Sequence, residues 1–466
     1  MPSAPCLRGR AKKYLKTSER EKQVKVCFIS LGCAKNLVNT EQMMALCRDA
    51  GMDLLSQPDG ADAVVINTCG FIDSAKSEAI DVILSVAGLK AAGQVGKILV
   101  TGCLSQRYQQ DILSELPEVD GVMGTGSYGE IVPALESLAA GQTVRRFGDI
   151  HAPVEELDRV LTTPDYYAFL RIAEGCSNRC AFCVIPSLRG KYRSRRIEDV
   201  LAEAKRLADA GVKECIVIAQ DITRYGIDLY GARKLPELLR GLCRLDFRWI
   251  RLHYLYPDAI TDELIDVIAS EPKIVKYLDL PIQHCNDQIL SAMRRRETKA
   301  DLTSLFGRLR ARIPGLVLRT SLITGLPYED ESAFDELCAF LRQMRLERVG
   351  VFPYSPEEGT PAAEMENRVD SAEAQRRAEL LVDVQSEIMD SFNESRMGTV
   401  TEVLCEGFDP QAACYVGRSY AESPDIDGHI YFTASRDVAS GEFVPVRVTG
   451  VMDGDLTGEV EESVCL

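Results

Sequence analysis

The chain has 466 residues, 46% apolar and 27% charged, a length that allows for roughly three domains at about 150 residues each. No apolar run approaches the ~20 residues that span a bilayer, so a membrane protein is excluded. Its 54 Lys and Arg against 70 Asp and Glu leave a net charge of −16, which argues against a surface given over to nucleic acid, since phosphate contact needs cations.

Residues 1–23 form a basic arm. Eight Lys or Arg fall in the first 25 residues against two Glu, with no apolar centre. The segment is not a secretory signal and reads as a solvated, disordered extension. With no export signal the chain belongs in the cytoplasm, where its sixteen cysteines stay reduced, and any clustering among them points to metal or redox chemistry.

Residues 24–140 carry three β-branched runs, 24–30, 61–67 and 97–101, alternating with helix-length stretches. That alternation predicts an α/β domain on a parallel sheet. Residues 141–164 have little periodicity and read as a linker. From 165 to 394 six strand candidates follow (167–172, 214–219, 249–253, 277–280, 317–323 and 349–352), separated by amphipathic stretches such as 197–210. Six βα units predict a partial (β/α)6 barrel with its chemistry at the carboxyl ends of the strands. Just past those ends stand Gln220, Asp221, Tyr254, Gln283, His284, Thr324 and Tyr354. A helical run over 372–394 leads into residues 395–466, where short strands between Gly and Asp turns predict a small β-barrel.

Cys176, Cys180 and Cys183 are spaced Cys-X3-Cys-X2-Cys directly after the first barrel strand. Three thiolates on one loop suit three irons of a 4Fe-4S cubane and leave the fourth iron open to a ligand. The alternative, structural zinc, wants four closed ligands, and the next cysteine is Cys215. A second triad emerges from placement. Cys33, Cys69 and Cys103 each follow one of the three early strands, beside Gly32, Gly70 and Gly102. Ligands of open α/β sheets gather at that edge, so a second three-thiolate cluster is expected there, with glycines that let backbone approach it closely. The alternative is three half-buried thiols in loops. Cys27, Cys215 and Cys338 read as buried small hydrophobes, and His253 and His284, near barrel strand ends, read as structural.

The loop GCSNRCAFC at the head of a six-unit barrel resembles the radical S-adenosylmethionine (SAM) superfamily, whose open iron chelates SAM. Phe182 matches the aromatic near the adenine, with ordinary core packing as its alternative. Two triads in this order, with SLGCAKNLVNTE, INTCGFIDSAK, VTGCLSQRY and GRSYAESPDIDGHIY, resemble the methylthiotransferase family from about residue 24 onward, in the branch that modifies ribosomal protein S twelve. The resemblance implies two 4Fe-4S clusters, SAM, an electron donor and a C-terminal TRAM domain. It implies insertion of sulfur at the unactivated β-carbon of an aspartate through a 5'-deoxyadenosyl radical, chemistry that a cofactor must supply. Residues 1–23 have no counterpart in that pattern, and ESPDIDG differs conservatively from the usual TRAM motif.

Gln220 and Asp221 are candidate SAM contacts, with solvated loop residues as the alternative. Arg319 is a candidate for the SAM carboxylate, with a barrel-lining structural role as its alternative. Residues 395–466 hold four Arg, no Lys and thirteen Asp or Glu. That acidity favours a basic ribosomal protein, free or in the small subunit, over transfer RNA. The basic run Arg189, Lys191, Arg193, Arg195 and Arg196 is available to ribosomal RNA, to SAM or to nearby acids. The rival enzyme reading is methylthiolation of transfer RNA, and the rival class is a non-catalytic iron–sulfur protein that recruits ribosomes.

Overall fold

The computed structural model describes residues 23–109 and 111–461; the expected basic arm, apart from Gln23, lies outside them. The first layer is a parallel sheet of β1 (Lys25–Ser30), β2 (Asp53–Leu55), β3 (Ala63–Thr68), β4 (Lys97–Gly102), β5 (Gly121–Met123) and β6 (Val144–Arg146), in the order β2-β1-β3-β4-β5-β6. β3 is buried along its whole length, as a central parallel strand covered on both faces must be. The sequence reading ends this unit near residue 140, yet β6 lies beyond that point and completes the sheet. Only Val144 of its three residues is buried, too weak an apolar signal to read as a strand.

The second layer is a six-stranded sheet of β7 (Tyr167–Arg171), β8 (Glu214–Ile218), β9 (Trp249–Leu252), β10 (Ile274–Asp279), β11 (Val317–Thr324) and β12 (Arg348–Pro353), hydrogen-bonded in chain order with every pair parallel. Side chains alternate across it. Cys215 and Val217 face the helices in the largest core, whereas Ile216 and Ile218 face inward with Tyr167, Phe169, Trp249 and Tyr277. The first helix, α1 (Ala34–Asp49), sets Val38 among those inward residues and ties itself to the strands through Gln42, whose Oε1 accepts from Arg171 at 3.0 Å.

The C-terminal unit follows the long helix Ser371–Ser395 and is a closed barrel of β13 (Val400–Asp409), β14 (Cys414–Arg418), β15 (Ile430–Thr433), β16 (Phe443–Met452) and β17 (Asp455–Val460). The segment 419–427 between β14 and β15 enters the inner face of the six-stranded sheet. There Ser423 Oγ lies 3.0 Å from His253 Nε2, Asp427 accepts from the Tyr277 hydroxyl at 2.7 Å, and Arg251 donates to the Tyr420 carbonyl at 2.9 Å. Among the described residues no helix is long and apolar enough to cross a membrane, and every described cysteine is free.

Candidate functional site: two cysteine triads joined by one arginine

Cys33 precedes α1, Cys69 follows β3 and Cys103 opens the helix Cys103–Tyr108 straight after β4. β1, β3 and β4 are adjacent and parallel, so all three thiols leave the same edge of the sheet. The neighbouring glycines sit where the chain packs tightly on itself. They let the loops touch one another: a Cβ on Gly32, at φ +87°, would lie 2.7 Å from Cys69 Cβ, and one on Gly102, at φ +97°, would strike Asn67 and Thr68. The Asn36 amide stitches the edge by donating to the Leu31 carbonyl at 2.9 Å and the Thr68 carbonyl at 3.0 Å.

Cys103 is buried, Cys69 half-buried and Cys33 exposed. Burial pushes the Cys69 thiol up to about 11, helped by the charge of Cys103. Cys103 also rises through burial, against the pull of Arg189. At Cys33 desolvation acts upward, but the Lys35 ammonium, the Arg189 guanidinium and two backbone N–H groups outweigh it and the thiol is lowered. Thiols held this way bind metal by giving up their protons.

The Cys176, Cys180 and Cys183 triad sits on the loop after β7. Gly175, at φ +76°, opens it against the Lys191 carbonyl, where no side chain fits. Cys176 N–H donates to the Gly190 carbonyl and Cys183 N–H to the Cys180 carbonyl, both at 3.1 Å. Tyr256 Oη lies 2.6 Å from Cys180 Sγ. Arg295 donates to the same sulfur at 3.9 Å and stands 4.1 Å from the Tyr256 ring centroid. Burial lifts Cys176 to about 11 and Cys183 further.

The candidate SAM residues fall into distinct settings. Asp221 is fully buried: its carboxylate accepts from Asn178 within the cysteine loop at 2.8 Å and pairs with Arg224 at 3.0 Å, so it braces the loop and is not the solvated residue of the alternative. Gln220 donates to Glu174 at 2.7 Å and leaves its own Oε1 buried and unpartnered. Arg319 is paired with Asp279 at 2.7 Å. Phe182 is half-buried against Ala181, Met293 and Leu326. Cys27 and Cys215 are buried and Cys338 half-buried. His253 and His284 are buried in the interior, His284 Nδ1 accepting the Asn286 N–H at 2.9 Å.

Most of the basic run beside the loop meets nearby acids or backbone carbonyls, one of the roles open to it, while Lys191 is exposed. Arg189 and Arg195 are buried, Arg195 on Glu156 and Glu203, while Arg193 donates to backbone carbonyls and Arg196 pairs with Asp199. Part of the C-terminal acidity is paired within the fold, while Asp425, Asp437, Asp453 and Glu459 are exposed. Glu422 is buried between Arg348 and Arg396, Glu406 holds Arg418, and Asp427 meets Tyr277. Composition counts charges without showing which way they point: of the twelve described acids in this unit, Glu422 is the one that is buried.

Sequence reading left out the groups that surround the thiols: Lys35, Arg189 in this role, Glu174, Tyr256 and Arg295. Lys35, two residues after Cys33, is buried with its Nζ above the Tyr254 ring. Arg189, six residues after Cys183, donates to Cys103 Sγ at 3.4 Å. Asking what balances buried thiolates would have singled out both. The donor set fits iron–sulfur clusters: soft thiols in threes, with a cation beside each triad. Among the described residues no three Cys, His, Asp or Glu side chains converge as a single ion requires. A cubane takes its thiolates at separate corners and does not ask for that convergence.

Three family models match the chain: uncharacterized protein family UPF0004 over residues 25–124, the radical SAM superfamily over 170–341 and the TRAM domain over 397–460. A solved radical SAM methyltransferase, TsrM from Kitasatospora setae, shares the fold at a TM-score of 0.56 with 13% identity, covering 73% of this chain and 77% of that one. Fold and site together therefore define a radical SAM enzyme with an additional cysteine-bearing domain. Among the similar curated proteins, the ribosomal protein uS12 methylthiotransferase RimO of Lachnoclostridium phytofermentans is 47% identical over 94% of this chain and 100% of its own length. The RimO of Thermoanaerobacter sp. is 44% identical over 93% and 99%. The chain belongs to the RimO family of methylthiotransferases.

Proposed function

We propose that this enzyme transfers a methylthio group to the β-carbon of an aspartate in ribosomal protein S twelve. The observation that carries this reading is the pair of cysteine triads on two domains, held against each other by Arg189. Cys176, Cys180 and Cys183 would hold one 4Fe-4S cluster and SAM, and Cys33, Cys69 and Cys103 a second cluster. When bound, these groups supply hydrogen-atom abstraction, the sulfur and the methyl group.

The protein's own residues position and shield. Asp221 and Asn178 fix the loop of the first triad. Tyr256 and Arg295 meet Cys180 Sγ with an O–H and an N–H, and hydrogen bonds to ligand sulfur tune a cluster. Lys35 and Arg189 balance the thiolates of the second triad. Gln220, with a free acceptor near the carboxyl end of β8, and Phe182 are the side chains best placed to meet SAM. Arg319 is committed to Asp279 and contributes to the barrel wall.

The test is anaerobic reconstitution with iron and sulfide, then SAM, a reductant and either the ribosomal protein or transfer RNA, with mass spectrometry of both. A methylthio group on an aspartate-containing peptide of the protein is the expected result. Methylthiolated adenosine in its place overturns the substrate assignment.

A further inference from the structure

Arg189 ends the short helix Ile185–Arg189 that follows the Cys176–Cys183 loop, but its guanidinium works in the other domain. Nε donates to Cys103 Sγ at 3.4 Å, Nη1 to Asn39 Oδ1 at 2.8 Å, and Nη2 to Asn36 Oδ1. Nη1 also meets Glu174 Oε2 at 3.2 Å. The other Glu174 oxygen accepts the N–H of Gly175, the residue before Cys176, at 3.1 Å, and the Gln220 amide at 2.7 Å. Cys103, Arg189, Glu174 and the Cys176 loop thus form one buried chain of contacts.

The charge along this chain is unequal. Glu174 is shared by two buried guanidiniums, since Arg171 Nη1 also meets its Oε2 at 2.8 Å. A buried cation without a full counter-charge is costly. The positive charge that Glu174 leaves uncompensated lies against Cys103 Sγ, and Cys33 shares in it.

We propose that Arg189 is a positioning residue: it fixes the distance between the two triads and supplies the counter-charge for whatever anionic group the Cys33, Cys69 and Cys103 thiolates hold. The proposal rests on the reading that those thiolates hold an iron–sulfur cluster. A cation against a ligand sulfur favours the reduced, more negative state, and the carboxylate behind that cation opposes it.

The experiment uses the full chain with Cys176, Cys180 and Cys183 changed to Ala, so that only the N-terminal triad loads. Iron content and the midpoint potential from a redox titration followed by electron paramagnetic resonance are measured for this parent and for its Arg189→Gln, Arg189→Lys and Glu174→Gln variants. The expected result is a shift to lower potential in Arg189→Gln, a smaller shift in the same direction in Arg189→Lys, and a shift to higher potential in Glu174→Gln. If Arg189→Gln takes up no iron, the sign in Glu174→Gln decides. Arg189→Gln or Glu174→Gln staying at the parent potential, or both moving the same way, overturns the role. A parent that takes up no iron overturns the cluster reading itself.

Discussion

The Lys35 ammonium stands 3.3 Å from the centroid of the Tyr254 ring, joining the first cysteine loop of one domain to the end of β9 in the other. Tyr254 takes φ +64°, a conformation unusual for an aromatic residue, and its N–H is held by Asp279 Oδ2 at 3.1 Å. Strain of this kind persists where surroundings enforce it. The contact bridges the two domains from the Cys33 side, as Arg189 does from the Cys103 side.

A desolvated cation–π contact contributes about 2 kcal/mol. Lys35→Met should therefore lower the unfolding free energy by about that amount and reduce methylthiolation. Denaturant unfolding and a product assay check both. Unchanged stability in a folded variant rules out a bridging role.

Removal of ligands should be separable by domain. Cys103→Ala should lose half of the reconstituted iron and keep SAM cleavage, whereas Cys180→Ala should lose the other half and SAM cleavage with it. Both should lose product. Iron analysis and detection of 5'-deoxyadenosine distinguish them, and a Cys103→Ala protein with full iron content would remove Cys103 from the ligand set.

Glu422 provides a pH test of C-terminal docking. Burial raises its carboxyl, but the Arg396 and Arg348 guanidiniums outweigh that and hold it at about 2, below the ~4.3 of an unfolded glutamate. A depressed carboxyl stabilises the fold fully above the unfolded value, and the contribution disappears as pH falls toward 2. The chain has one tryptophan, Trp249, whose ring meets Phe443 of the C-terminal barrel edge-on at 4.7 Å. Its emission should report undocking between about pH 4 and pH 2. Glu422→Gln should be destabilised by about 3–5 kcal/mol at neutral pH, because two buried arginines lose their partner.

At Gly102, φ +97° and the closeness of Asn67 and Thr68 leave no room for a methyl group. Gly102→Ala should cost about 1–3 kcal/mol from backbone conformation alone and displace Cys103. A thermal scan and iron uptake by the N-terminal triad test this, whereas Gly141→Ala, open to solvent at φ +77°, should leave iron uptake unchanged.

Both triads and the strands that carry them were legible, because a β-branched run followed by Gly and Cys has period and chemistry together. β5 and β6 escaped, being three residues each and set by pairing to neighbours. β17 escaped because its DLTGEV carries acids and a glycine, and only Leu456 and Gly458 are buried. The role of Arg189 was hidden for another reason: 86 positions separate it from Cys103, and a run of arginines looks alike in sequence whether it faces water or thiols.

The segment 419–427 sits inside the six-stranded sheet although it is among the later parts of the chain to be synthesised. Domains generally fold as units from the N-terminus during synthesis. This barrel is an exception by construction: His253, Arg251 and Tyr277 wait for partners about 150 or more residues downstream. An enzyme whose family acts on a ribosomal protein thus completes its own interior only after residues 419–427 have left a ribosome.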